Sequence, residues 1–366
     1  MQLMIMSLVL AAGSVIQPAS KPPTTGGPAP AVVSVEDPLE FKSDTLVPSW
    51  ATKAADRNAA LAYLSADNNL PRTLGEALAE IDWDKVPTAP GGEIPEPFAK
   101  ASKVFSEGCE QSVRTMLIAS TRERCDFELE YEGGVSMLMP HLGRMRQLAR
   151  TLRFDARQEF LAGRPGQAAE RVAAMYRMAA HVSNDRILIS SLVSNAIAAL
   201  ATEEARVLAA SGTLQAKDAE VLRAAIGRVL TSDPFRGKEA MMTERDLLLN
   251  WLRLAMNRGE KFAEAVMGLL AGTDTPGLVQ ELRDLKGEAL DREIARAQEG
   301  YDEILAAWGT PDASAKFQVI NSRVLKGEFG VVARVAMPSF EKAYINIEKQ
   351  VKELGELDQK FAAISK

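Results

Sequence analysis

Two histidines, His141 and His181, are the only imidazoles in a chain of 366 residues, so histidine chemistry has to run through one of them. They stand forty positions apart. No His-Glu-x-x-His run sets two imidazoles on one helical face for zinc. Neither a Gly-x-Ser-x-Gly elbow nor a phosphate-cradling Gly-rich loop before Lys-Ser/Thr occurs. Ser339-Phe-Glu-Lys342 has the Ser-x-x-Lys spacing that puts a lysine one turn from a serine nucleophile. Its companion Ser-Asp-Asn and Lys-Thr-Gly runs are missing, and Pro338-Ser339 reads as an ordinary helix start. Met137-Leu-Met139-Pro-His141, with Met145 one turn on, offers thioethers beside an imidazole, the ligand set of a Cu(I) site. Methionine at this spacing also fills core gaps, and that reading is adopted, with no metal and no cofactor assigned.

Arg146, Arg150, Arg153 and Arg157 recur at steps of four, three and four, a stripe beside the apolar face of one helix. Asp155 and Glu159 sit on the other flank. Such a stripe could form a groove for an anionic ligand or an acidic partner peptide. The alternative is a solvated flank paired with acids of neighbouring helices, such as Glu170, Glu203 or Glu204. These four arginines are the candidate binding residues. Carboxylates crowd residues 276–308, where on an exposed helix they give solubility and pairs such as Glu288–Arg292. Nothing places two of them in a pocket for acid–base work, and no catalytic residue is assigned.

Cys109 and Cys125 are the only cysteines, with 15 residues between them. In an oxidising compartment a disulfide closing that loop would contribute about 3 kcal/mol. Otherwise each thiol packs as a small apolar side chain. The sequence leaves both readings open.

The elements that must position these residues are helices. Around Pro140–Ser211 the pattern reads as three of them. Leu142, Met145, Ala149, Leu152, Ala156 and Phe160 keep to one face of the first. Gly163 then suits a left-handed C-terminal position and Pro165 the first turn of the next helix. Val172, Met175, Tyr176, Ala179 and Val182 make the facing stripe, and Ile187–Ala210 is apolar on most sides, hence buried. Further helices are predicted over Trp50–Leu64, Leu74–Ile81, Phe98–Ser120 and Ala216–Leu230. Others run from Ser232-Asp-Pro234 to about Met256, between Gly259 and Gly272, from Thr275 to about Trp308, and onward from Pro338. The last two carry near-heptad seams, which predicts a long antiparallel hairpin or a homo-oligomer contact. Cys125–Glu132 alternates with period two, but with no strand nearby to pair with it reads as an extended linker.

The sequence therefore predicts an all-α protein of antiparallel helical hairpins, with a bundle over 49–272 and a helical hairpin over 273–366 packed on it. A net charge of −6 without concentrated Lys and Arg argues against nucleic-acid binding. Leu3–Ala12 with the small residues Ala-Gly-Ser after it resembles a secretory signal within residues 1–20, although no basic residue precedes it. Residues 21–48 are a Pro/Gly-rich linker, and no lipobox cysteine follows the apolar run. The longest later uncharged stretch, Ile187–Thr202, has 16 residues, short of the roughly 20 that span a membrane.

Leu161-Ala-Gly-Arg-Pro-Gly-Gln-Ala168 resembles the turn of one tetratricopeptide-like hairpin. Arg124-Cys-Asp126, Met139–Arg150 and Gly166–Leu200 resemble uncharacterised, exported, all-helical proteins common in planctomycete-type bacteria. The likeness covers a quarter to a third of the chain. It implies a helical fold and a periplasmic or secreted location, and it brings no catalytic residue. The expectation is an exported interaction or scaffold protein with a protein or peptide partner. The competing expectation is a ligand binder or enzyme with a site between helices near His141, His181 and the Arg146–Arg157 stripe.

Overall fold

The computed structural model describes residues 57–257, 281, 285, 287–337 and 340–365. These form an all-α bundle with no strand among the described residues. The signal-like start, the linker over 21–48, the short helix between Gly259 and Gly272, and Ser339 lie outside them.

Helix α1 (Ala59–Asn68) begins at Asn58, whose backbone is extended and whose Oδ1 accepts the Ala60 N–H at 3.1 Å. The helix expected over Trp50–Leu64 therefore does not run through Asn58; its polar side chain satisfies a free N–H and fixes the start. Next come α2 (Leu74–Ala79), a 3-10 turn at Trp83–Lys85, α3 (Glu96–Ser106) and α4 (Glu110–Ser120). The single helix expected over Phe98–Ser120 is thus two, broken at Gly108-Cys109. The break has a packing cause. Phe98, Ala101 and Cys109 join Leu74 and Leu78 in a small N-terminal cluster, whereas Val113, Met116 and Ala119 point into the central core with α1.

The centre follows the sequence pattern closely: α5 (Pro140–Leu161), α6 (Pro165–Val182) and α7 (Leu188–Ser211). Gly163 turns the chain between α5 and α6 at φ +76°, a conformation that excludes most side chains. Helix α8 (Ala216–Val229) starts on a reciprocal cap between Gln215 and Asp218 and packs along α6. Helix α9 (Gly237–Asn257) follows a 3-10 turn at Pro234–Arg236. Residues 123–130 are irregular but not extended throughout: Glu128 has φ +53°, and Tyr131 and Glu132, expected to continue the extended stretch, already lie in a 3-10 turn over Tyr131–Ser136.

The C-terminal part differs from the expected hairpin. Gly287 has φ +50° and ψ −133°, so α10 (Glu288–Ala307) is no continuation of a helix running from Thr275. Two short helices, α11 (Ala313–Leu325) and α12 (Gly330–Ala336), separate it from α13 (Phe340–Ile364). Helix α10 packs on α12, α11 and α9, while α13 lies mainly on α7 and α8. The two long helices meet where the rings of Tyr301 and Phe340 stand 6.0 Å apart. Ile347, Leu354, Leu357 and Phe361 of α13 belong to the central core, so 272 is not a boundary for the last helix. Heptad seams specify an apolar stripe but not its partner; here the larger apolar face on offer was that of the central bundle.

Candidate functional site

The arginine stripe divides into two halves with different fates. Arg157 sends Nε to Glu204 Oε2 at 2.7 Å and Nη2 to Glu204 Oε1 at 3.0 Å, and its Nη1 reaches the Pro87 carbonyl at 3.1 Å. Arg153 donates Nε to Glu204 Oε1 at 3.0 Å, pairs with Glu203 at 2.6 Å, and lays its guanidinium 3.7 Å over the Trp83 ring. These two arginines and Glu204 are buried, so this half is no solvated flank. It fastens the Trp83–Pro87 segment and α7 to α5. Arg171 takes Asp155 at 2.8 Å and also reaches Glu170 at 3.6 Å, which leaves Glu170 out of the stripe.

Arg146 and Arg150 are the other half. Both are half-buried, and neither has a hydrogen bond or ion pair among the described residues. Burial, then the neighbouring Arg150 charge, holds Arg146 below the usual guanidinium range. What remains of the predicted site is a pair of cations one turn apart without a counter-ion among the described residues.

The two histidines belong to separate networks and do not converge. His141 Nε2 lies 2.8 Å from Asp185 Oδ2, and Phe127 stacks on its ring at 4.1 Å. Ser190 donates to the same Asp185 oxygen at 2.6 Å, and the Tyr131 hydroxyl donates to the Asp185 carbonyl at 2.7 Å. Ser, His and Asp are the residue types of a hydrolytic triad, but the order is wrong. Both Ser190 and His141 point at the carboxylate, so the imidazole is not placed to take the serine proton. His181 lies between the Tyr63 hydroxyl, 3.0 Å from Nδ1, and the Arg122 carbonyl, 2.9 Å from Nε2. A carbonyl only accepts, so Nε2 carries the hydrogen and Nδ1 accepts from Tyr63. Burial pushes His181 down to about 4, which keeps it neutral.

Beside Asp185 opens a cavity of about 480 Å³, lined among others by Arg124, Cys125, Asp126, Tyr131 and Arg186. Arg186 holds a left-handed backbone at φ +55°, as does Glu128 nearby at φ +53°. Sequence reasoning missed this hub. The only signal was the polar Ser183-Asn-Asp-Arg186 run between two apolar helices, which looks like any linker.

Cys109 and Cys125 are both free and buried, in separate apolar clusters, so the disulfide is not formed. Helix α4 and its break hold Cys109 under α3, away from the linker that carries Cys125. Burial pushes the Cys109 thiol up to about 11 and Cys125 well above the ordinary thiol range, further raised by Asp185. Neither is a ready thiolate. Met145 is core, at 1% exposed, and among the described residues no three His, Cys, Asp or Glu side chains are grouped to hold a metal. Lys342 sits in the first turn of α13, while its partner in the Ser-x-x-Lys spacing lies outside the described residues.

No helix among the described residues is long and apolar enough to cross a membrane. No protein-family model, curated protein or solved structure matches the chain.

Proposed function

We propose that this is an exported helical interaction protein that engages an acidic partner peptide along α5, at Arg146 and Arg150. One observation carries the reading: two half-buried guanidiniums share one face of a packed helix and lack a carboxylate among the described residues. Every other arginine of the stripe has its acid. A partner that supplies carboxylates at this spacing would restore the missing charge–charge contacts, and a planar guanidinium fork suits that geometry.

The signal-like start supports a partner in the bacterial envelope or outside the cell, and helical hairpins suit a scaffold role. Affinity capture from an envelope fraction tests it, with wild type beside Arg146→Glu/Arg150→Glu. The expected result is a partner rich in Asp and Glu that the double variant loses while its melting temperature is kept. An unchanged capture profile for the charge-reversed protein would overturn the proposal.

A further inference from the structure

Asp185 is 5% exposed, yet only one oxygen of its carboxylate is engaged inside the fold. Oδ2 takes His141 Nε2 at 2.8 Å and Ser190 Oγ at 2.6 Å, and these two donors fix the group's orientation. Oδ1 accepts no hydrogen bond among the described residues. It is not sealed in either. The unpaired side-chain atoms cut off from solvent among those residues are Arg122 Nε, Ser191 Oγ and Asn195 Oδ1. Solvent therefore reaches Asp185 Oδ1, and the opening that Asp185 borders is the cavity of about 480 Å³. That volume suits a small molecule.

Three segments meet at this cavity: the linker between α4 and α5, the turn between α6 and α7, and α9, which contribute Arg124, Arg186 and Thr243 respectively. Both guanidiniums have only loose partners. Arg124 Nη2 is 3.5 Å from Asp126 Oδ2, and Arg186 Nε is 3.5 Å from Glu239 Oε2. The Glu239 oxygen is already taken by Arg236 Nη1 at 2.8 Å, and Asp126 Oδ1 by the Glu128 N–H at 2.9 Å. At 3.5 Å a guanidinium N–H still has room for a better acceptor. Leu129 and the buried Cys125 give the same cavity an apolar wall. One space thus holds a fixed anionic acceptor, two under-used cationic forks and an apolar surface.

We propose that this cavity binds a small zwitterion of the α-amino-acid class, with its ammonium on Asp185 Oδ1 and its carboxylate on Arg124 and Arg186. An ammonium supplies the N–H donors that Oδ1 lacks. A carboxylate offers two oxygens to planar guanidiniums that hold their present acids only at long range. An anion alone would meet the Asp185 charge, and a cation alone would leave both arginines as they are. The side chain of the amino acid would lie against Leu129 and Cys125. The site is separate from Arg146 and Arg150 and stands whether or not those bind an acidic peptide.

The test uses the full chain. Thermal melting and titration calorimetry are run with each common L-amino acid in turn, then with the N-acetyl and amide derivatives of any that binds. The expected result is saturable binding of at least one amino acid with a rise in Tm. Each derivative should bind at least about tenfold more weakly, since one lacks the ammonium and the other the carboxylate. Arg124→Gln and Arg186→Gln change exposed side chains and should keep the ligand-free Tm. Each should weaken the free amino acid by about tenfold and leave the affinity of its amide unchanged. Asp185→Asn should abolish the Tm rise; if that variant does not fold, the N-acetyl derivative tests the same end of the ligand on wild type. Arg146→Gln/Arg150→Gln should bind the amino acid as wild type does, which separates this site from the one on α5. If no amino acid raises Tm, the proposal is overturned. An amide or N-acetyl derivative that binds as tightly as its parent overturns it too, because one end of the zwitterion would then go unrecognised.

Discussion

Arg157 and Glu204 face each other as a planar fork, with Nε–Oε2 at 2.7 Å and Nη2–Oε1 at 3.0 Å. They are 4% and 3% exposed. Arg153 shares the same carboxylate, so one buried anion holds two cations. Removing that anion leaves the buried Arg157 charge without its carboxylate, while Arg153 keeps only the half-exposed Glu203. Glu204→Ala should therefore cost about 3–5 kcal/mol in urea unfolding. The triple change Arg153→Met/Arg157→Met/Glu204→Leu should cost far less, since it removes the charges together. A small effect for Glu204→Ala would mean that the network is solvated.

His181 should make the protein acid-sensitive. Its folded value of about 4 lies below the ordinary 6.5, so between those limits the unfolded chain takes up a proton that the native state refuses. Stability is complete above roughly pH 6.5 and falls on acidification towards pH 4, by on the order of 3 kcal/mol from this one group. His181→Gln should flatten that part of the profile. Denaturant midpoints between pH 7 and pH 4 would show it.

Glu244 should act in the opposite direction. It lies on α9, accepts the N–H of Leu188 at the start of α7, and is pushed by burial up to about 7, against an ordinary 4.5. The native state then holds a proton that the unfolded chain releases, so stability present below pH 4.5 is lost as pH rises through 7. Glu244→Gln keeps an oxygen for Leu188 and should raise stability at pH 8 relative to wild type. Stability of the variant should cease to decline between pH 5 and pH 8. A decline of the same steepness in Glu244→Gln would assign it to another group.

The two thiols should be silent in the native protein. Cys109 and Cys125 are buried and free, and both are held largely protonated at neutral pH. A thiol reagent should titrate neither in buffer and both in denaturant, and reductant should leave Tm unchanged. A reductant-sensitive Tm would reveal the bridge that the structure does not contain.

The helical class and the α5–α7 hairpins could be read from period and punctuation, because helix geometry ties side-chain direction to chain position, whereas the extended linker expected over Cys125–Glu132 is only in part extended. Asn58, Gly108 and Gly287 were the harder boundaries. At Asn58 the cause is a local side-chain cap and at Gly287 a positive φ, whereas the break at Gly108 follows from the two apolar clusters on either side of it. For the arginine stripe, two of the three acids that the sequence offered as partners, Glu203 and Glu204, do pair with Arg153 and Arg157. It did not show that Arg153 and Arg157 would be buried.

By itself, then, the sequence determined the all-α class and the apolar faces of the central helices, since both follow from local spacing, but not the helices at 313–336. Only the tertiary structure decided what each face meets. It sent α13 onto the bundle, separated Cys109 from Cys125, gave each histidine its own partners, and buried Arg153 and Arg157 against Glu204. Those outcomes depend on contacts between residues far apart in the chain, and no local period encodes which distant helix will arrive.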